Sequence, residues 1–93
     1  MKYIKLQRFI NEQNSWNAIF NGPTINISSL DQQGVDDIAA EIDCRLSPEN
    51  LHCDGEISVA EANRKYHKLA GAAEDLFKFC DMNGFNRPTI WEL

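Results

Sequence analysis

Apolar residues recur at steps of three and four through the second half of the chain: Val59, Ala62, Tyr66, Leu69, Ala73, Leu76 and Cys80. That spacing is a three-heptad seam and predicts a helix over about 58–82. Ser58-Val59-Ala60-Glu61 opens it with capping-box spacing, and Asn83-Gly84 supplies a left-handed stop. Ala62, Ala70 and Ala73 are small, so a partner helix can approach closely, while Glu61/Lys65 and Glu74/Lys78 form i, i+4 pairs on the wet side. A second stripe of Val35, Ile38, Ala39, Ile42 and Leu46 predicts a helix over about 30–46. Ser28 or Ser29 can cap it, Ser29 with Gln32 having capping-box spacing, and Asp31, Asp36 and Asp37 lie towards the positive end of its dipole. Gly34 either frays the first turn or meets a close neighbour there. Pro48 stops this helix near Ser47, which can itself cap a single turn, Pro48-Glu49-Asn50-Leu51.

The N-terminal third is less regular. In Tyr3–Ile10, Ile4 and Leu6 alternate with Lys5 and Gln7 as in a strand, whereas Tyr3, Leu6 and Ile10 fit a helical stripe; the strand reading is preferred. Asn11–Ser15 reads as a turn, Trp16–Asn21 as a short helical turn stopped at Gly22-Pro23, and Thr24–Ile27 as extended chain. The expected fold is therefore mainly α: an antiparallel helical hairpin, about 30–46 and 58–82, with an irregular N-terminal segment that has room for short strands. Trp16, Phe20 and Trp91 are expected to join the two stripes in one core. The longer helix outruns its partner, and Leu76, Phe77 and Phe79 offer more than one apolar face. Either the N-terminal segment or a second subunit covers the excess, so a homo-oligomer is expected.

With 93 residues the chain makes one small domain, divided as an N-terminal segment 1–28, a hairpin 29–84 and a tail 85–93. No run approaches the roughly 18 apolar residues of a membrane span, and no apolar stretch follows the first charges, so a cytoplasmic protein is expected. Three cysteines, Cys44, Cys53 and Cys80, are then reduced thiols by default. The charge is uneven: residues 31–61 hold nine acids against Arg45 alone. Asp36, Asp37, Glu41 and Asp43 concentrate it on one helix, which suits a partner protein with a basic surface and disfavours nucleic acid.

Candidate chemistry gathers between the two helices. With Asn50 as position one of a calcium loop, Asp54, Glu56, Ser58 and Glu61 fall at five, seven, nine and twelve, and Gly55 at six. His52 at position three departs from that pattern, and Asp54-Gly55 as a turn, Ile57 as a staple and Ser58 with Glu61 as a cap account for the same residues. Cys44, His52, Cys53 and either Cys80 or His67 are conceivable zinc ligands, but no C-x-x-C pair occurs. Cys53 beside His52 and Asp54 places nucleophile, base and acid in a row, although such groups are assembled in space and not by adjacency. The basic group Arg64, Lys65 and Lys68 can meet phosphates or form a wetted face. No cofactor motif is present.

The segment Ser47-Pro48-Glu49-Asn50-Leu51-His52-Cys53-Asp54-Gly55-Glu56 resembles a group of small tailed-bacteriophage proteins that share a SPENLxCDGE-like stretch between two helices. The resemblance implies a phage accessory protein expressed in a bacterial cytoplasm, and it carries over no catalytic residue. The function expected is thus a non-enzymatic accessory protein that binds and modulates or inhibits a host protein or complex. The alternative is a small-ligand or ion-binding module, either a degenerate EF-hand-like calcium loop or an oligomer that sequesters a nucleotide through Arg64, Lys65 and Lys68.

Overall fold

The computed structural model describes residues 2–51 and 58–93. Those residues are mainly helical and include no strand: α1 is Ile4–Ile19, a 3-10 turn spans Ile27–Ser29, α2 is Gln32–Leu46, α3 is the single turn Pro48–Leu51, and α4 is Val59–Asn83. Helix α4 is the member on which the others pack. Along α1 the contacts with α4 run in opposite directions, Lys5 and Leu6 meeting Asp75 while Glu12 meets Lys68, so the two helices are antiparallel. Helix α2 starts beside the end of α4, where Gln32 exchanges hydrogen bonds with both the N–H and the carbonyl of Asn86. The tail then returns along α2, with the Glu92 N–H donating to Asp43 Oδ1 at 2.9 Å.

The core follows from the stripes. Val35, Ile38, Ala39, Ile42 and Leu46 are all buried, and they meet Ala72, Ala73, Leu76, Phe79 and Cys80 of α4 and Leu6, Phe9 and Ile10 of α1. Ile90 closes one end. Small residues let α1 lie close to α4: a Cβ on Gly71 would stand 2.5 Å from Lys5 Cδ, whose stem crosses at that point. The second apolar face of α4 is thus covered by α1 of the same chain.

The strand preference for residues 3–10 and the turn at Asn11–Ser15 are corrected by α1. Its inward face is Leu6, Phe9, Ile10 and Gln13, a helical i, i+3, i+4, i+7 set whose last member is polar. The start of α1 has no local signal because its cap comes from elsewhere. Tyr3 precedes it in the left-handed region and offers no side-chain cap, while Asp75 Oδ2 on α4 accepts the N–H groups of Lys5 (2.9 Å) and Leu6 (3.2 Å). The run Asn11–Ser15 looks turn-forming, but Asn14 exchanges two hydrogen bonds with the Ile25 backbone and so holds the return loop, as does Asn17 just beyond it, whose Nδ2 donates to the Pro23 carbonyl.

Two smaller expectations change, and the two alternatives for Gly34 are resolved. Asp31, not Ser29, caps α2, its carboxylate accepting the Gly34 N–H at 2.8 Å. Gly34 meets a close neighbour, since an added Cβ would lie 2.9 Å from Leu30 Cδ2. Trp16, Phe20 and Trp91 are 55%, 73% and 82% exposed and do not build the core. Other signals hold. Ser58 Oγ accepts the Glu61 N–H, Gly84 ends α4 at φ 73°, and the Ser47 carbonyl accepts the N–H groups of Asn50 and Leu51 at the Pro48 turn. Among the described residues no helix is long and apolar enough to cross a membrane.

Candidate binding surface

Helix α1 carries its apolar stripe past the point where α4 can cover it. Burial on α1 stops at Gln13, yet Trp16, Ile19 and Phe20 continue the apolar sequence on the last turns. The Trp16 and Phe20 rings stack nearly parallel, 5° between planes and 6.4 Å between centroids. Ile19 is 68% exposed. The opposite polar edge is occupied: Asn14 and Asn17 hold the return loop, and the Asn17 carbonyl accepts the Gly22 N–H at 2.7 Å. The loop therefore closes over one flank and leaves the aromatic flank to solvent.

A cleft of about 470 Å³ adjoins this patch, between α1, the α2–α3 junction and the first half of α4. Trp16 and Leu69 form its apolar part, with Arg45, Lys65 and Lys68 around them and Glu12 as its acid. Lys68 Nζ donates to Glu12 Oε1 at 2.7 Å. The Arg45 guanidinium sits 5.3 Å from the Phe9 ring centroid, and its Nε donates to Glu41 Oε1 at 3.2 Å. Arg64 does not line this cleft. All three members of the expected basic group, Arg64, Lys65 and Lys68, line a shallower hollow with Glu61 along the start of α4, and Lys65 and Lys68 also border the cleft.

The four acids of α2 are also divided. Asp37 and Glu41 face a groove of about 280 Å³ between α1 and α2, together with Phe9, Gln13 and Ile38. Asp43 is on the tail side and is spent on the Glu92 N–H. Asp36 accepts from Gln32, Asp37 accepts from Gln33, and both remain exposed. Gln13 lies between the two regions and is buried, and its Nε2 has no hydrogen-bond partner among the described residues.

The inter-helix chemistry has a structural use wherever it is described. Asn50 Nδ2 donates to the Cys44 carbonyl at 2.6 Å and to Ser47 Oγ at 3.1 Å, which gives that carbonyl at the end of α2 a second donor beside the Ser47 N–H at 3.3 Å. Ser58 Oγ is likewise engaged in capping. His52, Cys53, Asp54, Gly55, Glu56 and Ile57 lie outside the described residues, and with them the proposed turn, the staple, the Cys53 row and two members of the calcium set, Asp54 and Glu56. Among the described residues no three of His, Cys, Asp and Glu gather as a metal site. Cys44 is exposed and Cys80 is buried in the core. Burial pushes the Cys80 thiol above its ordinary range, helped by the charges of Asp81 and Asp36. Beyond α4, Arg87 binds Asp81, lies over the Phe77 ring, and holds the Asp81 carboxyl below the usual carboxylate range through their hydrogen bond.

Sequence reasoning assigned Trp16 and Phe20 to the core and overlooked Gln13, Asp75 and Arg45. Trp16 and Phe20 are four apart and share a helix face, which becomes legible once 4–19 is read as one helix. Asp75 has no such signal, because its partners lie about seventy positions away in the chain. No family model, curated protein or solved structure matches the chain.

Proposed function

We propose that this chain is a non-enzymatic binding protein, a phage-type accessory protein that modulates or inhibits a host protein or complex by occupying it. The observation that carries this reading is the exposed Trp16–Ile19–Phe20 face. Large apolar side chains gathered at one place on a small domain mark interaction surfaces, and tryptophan is enriched among the residues that dominate binding energy. The face is held ready by the Asn14 and Asn17 clamps and by the ring stack, so little order has to be gained on binding. The phage assignment rests on the Ser47–Glu56 resemblance, and with it goes expression in the host cytoplasm.

The partner has a basic surface in this reading. Asp36, Asp37 and Glu41 are exposed on α2 and supply the complementary charge, which affects association rate and salt dependence more than affinity. Asp43 is withdrawn from that set because it holds the tail. The experiment is capture from bacterial lysate by three proteins in parallel: wild type, Trp16→Ala with Phe20→Ala, and Asp36→Asn with Glu41→Gln. A partner retained by wild type is lost with the aromatic double variant and weakened, with a flatter salt dependence, by the acidic double variant. A partner retained equally by all three, each folded by circular dichroism, refutes the reading.

A further inference from the structure

We propose that the groove between α1 and α2 receives one arginine side chain of the basic partner, with Asp37 and Glu41 meeting its charge and Gln13 its hydrogen-bonding groups. It rests on the reading above that the target is a basic protein, and gives the acidic helix a specific occupant. The groove measures about 280 Å³, just under the roughly 300–1,000 Å³ of sites that enclose a whole small molecule, so it suits a single long side chain. Phe9 and Ile38 supply apolar surface for a methylene stem, which arginine buries while its head stays polar. Among the described residues no cation lines the groove. Gln13 separates it from an ordinary acidic face. That residue lines the groove, is only 9% exposed, and its Nε2 has no hydrogen-bond partner among the described residues. A buried amide without a partner costs stability, whereas an apolar side chain of similar length does not. What an amide adds at this position is a hydrogen-bonding group for something outside the fold. A half turn exchanges its donor and acceptor ends with little change of shape. Gln13 can thus accept from a guanidinium or donate to the main-chain carbonyl of the residue that carries it.

The carboxylates are spaced for a planar fork. Asp37 and Glu41 are four apart on α2, about one turn of helix, and both border the groove. Asp37 accepts from Gln33 Nε2 at 2.8 Å, a neutral donor that leaves the charge uncompensated. Glu41 is shared, since Arg45, which does not line the groove, reaches its Oε1 through Nε at 3.2 Å. Asp37 is therefore the main counter-ion and Glu41 the second. A guanidinium presents five donors in one plane and can bridge two carboxylates a turn apart, whereas an ammonium is a compact point charge. Arginine is favoured over lysine for that reason.

The probes are a blocked Ala-Arg-Ala tripeptide and its lysine and citrulline counterparts, titrated at low salt into isotope-labelled protein. Nuclear magnetic resonance follows the backbone amides of Asp37 and Ile38 and the side-chain amide of Gln13. None of these belongs to the Trp16–Phe20 face, so failure here leaves the capture experiment to decide that reading by itself. The expected result is saturable shifts with a Kd on the order of 1 mM for the arginine peptide. The lysine peptide binds about threefold or more weakly. The citrulline peptide, which keeps the shape without the charge, does not saturate. Asp37→Asn weakens binding about five- to tenfold. Gln13→Met weakens it about three- to fivefold while Tm does not fall, a split that a purely structural role does not produce. No saturable shift up to about 20 mM arginine peptide overturns the proposal. So does citrulline peptide binding as tightly as arginine, lysine peptide binding more tightly, or Asp37→Asn and Gln13→Met each binding like wild type.

Discussion

Asp75→Ala should loosen α1 from the rest of the molecule although it lies on α4. Its carboxylate accepts two N–H groups from the first turn of α1, at 2.9 and 3.2 Å, and Tyr3 offers no side-chain substitute. Removal of a side-chain cap costs about 0.5–2 kcal/mol. An anion at a helix N-terminus contributes about 0.3–1 kcal/mol more. Because Asp75 does both, about 1–2 kcal/mol is expected for Asp75→Ala. In a domain of this size that corresponds to a fall in Tm of roughly 5–15 °C. Asp75→Asn keeps an acceptor oxygen and loses only the charge, so its fall should be clearly smaller. Thermal unfolding followed by circular dichroism measures both variants, and hydrogen exchange locates the effect. The Lys5 and Leu6 amides should lose protection ahead of those in the middle of α4. An Asp75→Ala protein that melts within about 1 °C of wild type, a shift too small for a lost cap, would refute the cross-helix account of how α1 begins.

Further outcomes follow from other positions. Gln13 is buried and its Nε2 has no partner among the described residues, a state that costs about 1–3 kcal/mol, so Gln13→Met should raise Tm; a fall would mean that the amide has a partner after all. In a Cys53→Ser background, Cys44 should react with a thiol reagent in the native state and Cys80 only on unfolding; equal rates would contradict the core assignment. Asp81 has a folded-state pKa below its unfolded value, so its pairing stabilises above about pH 4 and is lost as pH falls through the lower, folded value. The stability difference between wild type and Arg87→Gln should accordingly be present at neutral pH and shrink in acid, and a difference that grows in acid would refute it.

The parts of the fold legible in the sequence are those whose signals are local. Helix α4 announces itself by its three-four seam, Ser58 and Gly84, and α2 by its stripe and Pro48. Helix α1 was hidden for two physical reasons. Its cap is supplied by Asp75 across the fold, and its inward face ends in Gln13, which interrupts the apolar period as read along the chain. Both reasons are tertiary, and propensity yields to them. The candidate binding surface was less legible still. Trp16 and Phe20 have the composition of core residues, and only the end of cover beyond Gln13 leaves them outside. The acids of α2 were correctly placed on one helix, but their separate duties could not be read from spacing: Asp43 holds the tail, while Glu41 orders Arg45.

The central claim is that the Trp16–Phe20 face is open in the free protein and covered when it works. Acrylamide quenching of Trp16 in the Trp91→Phe protein, measured free and then bound to the partner recovered by capture, tests it most directly. The account predicts ready quenching in the free protein and strong protection, with a blue-shifted emission, in the complex. Protection of Trp16 in the free protein, or unchanged quenching in the complex, would contradict it.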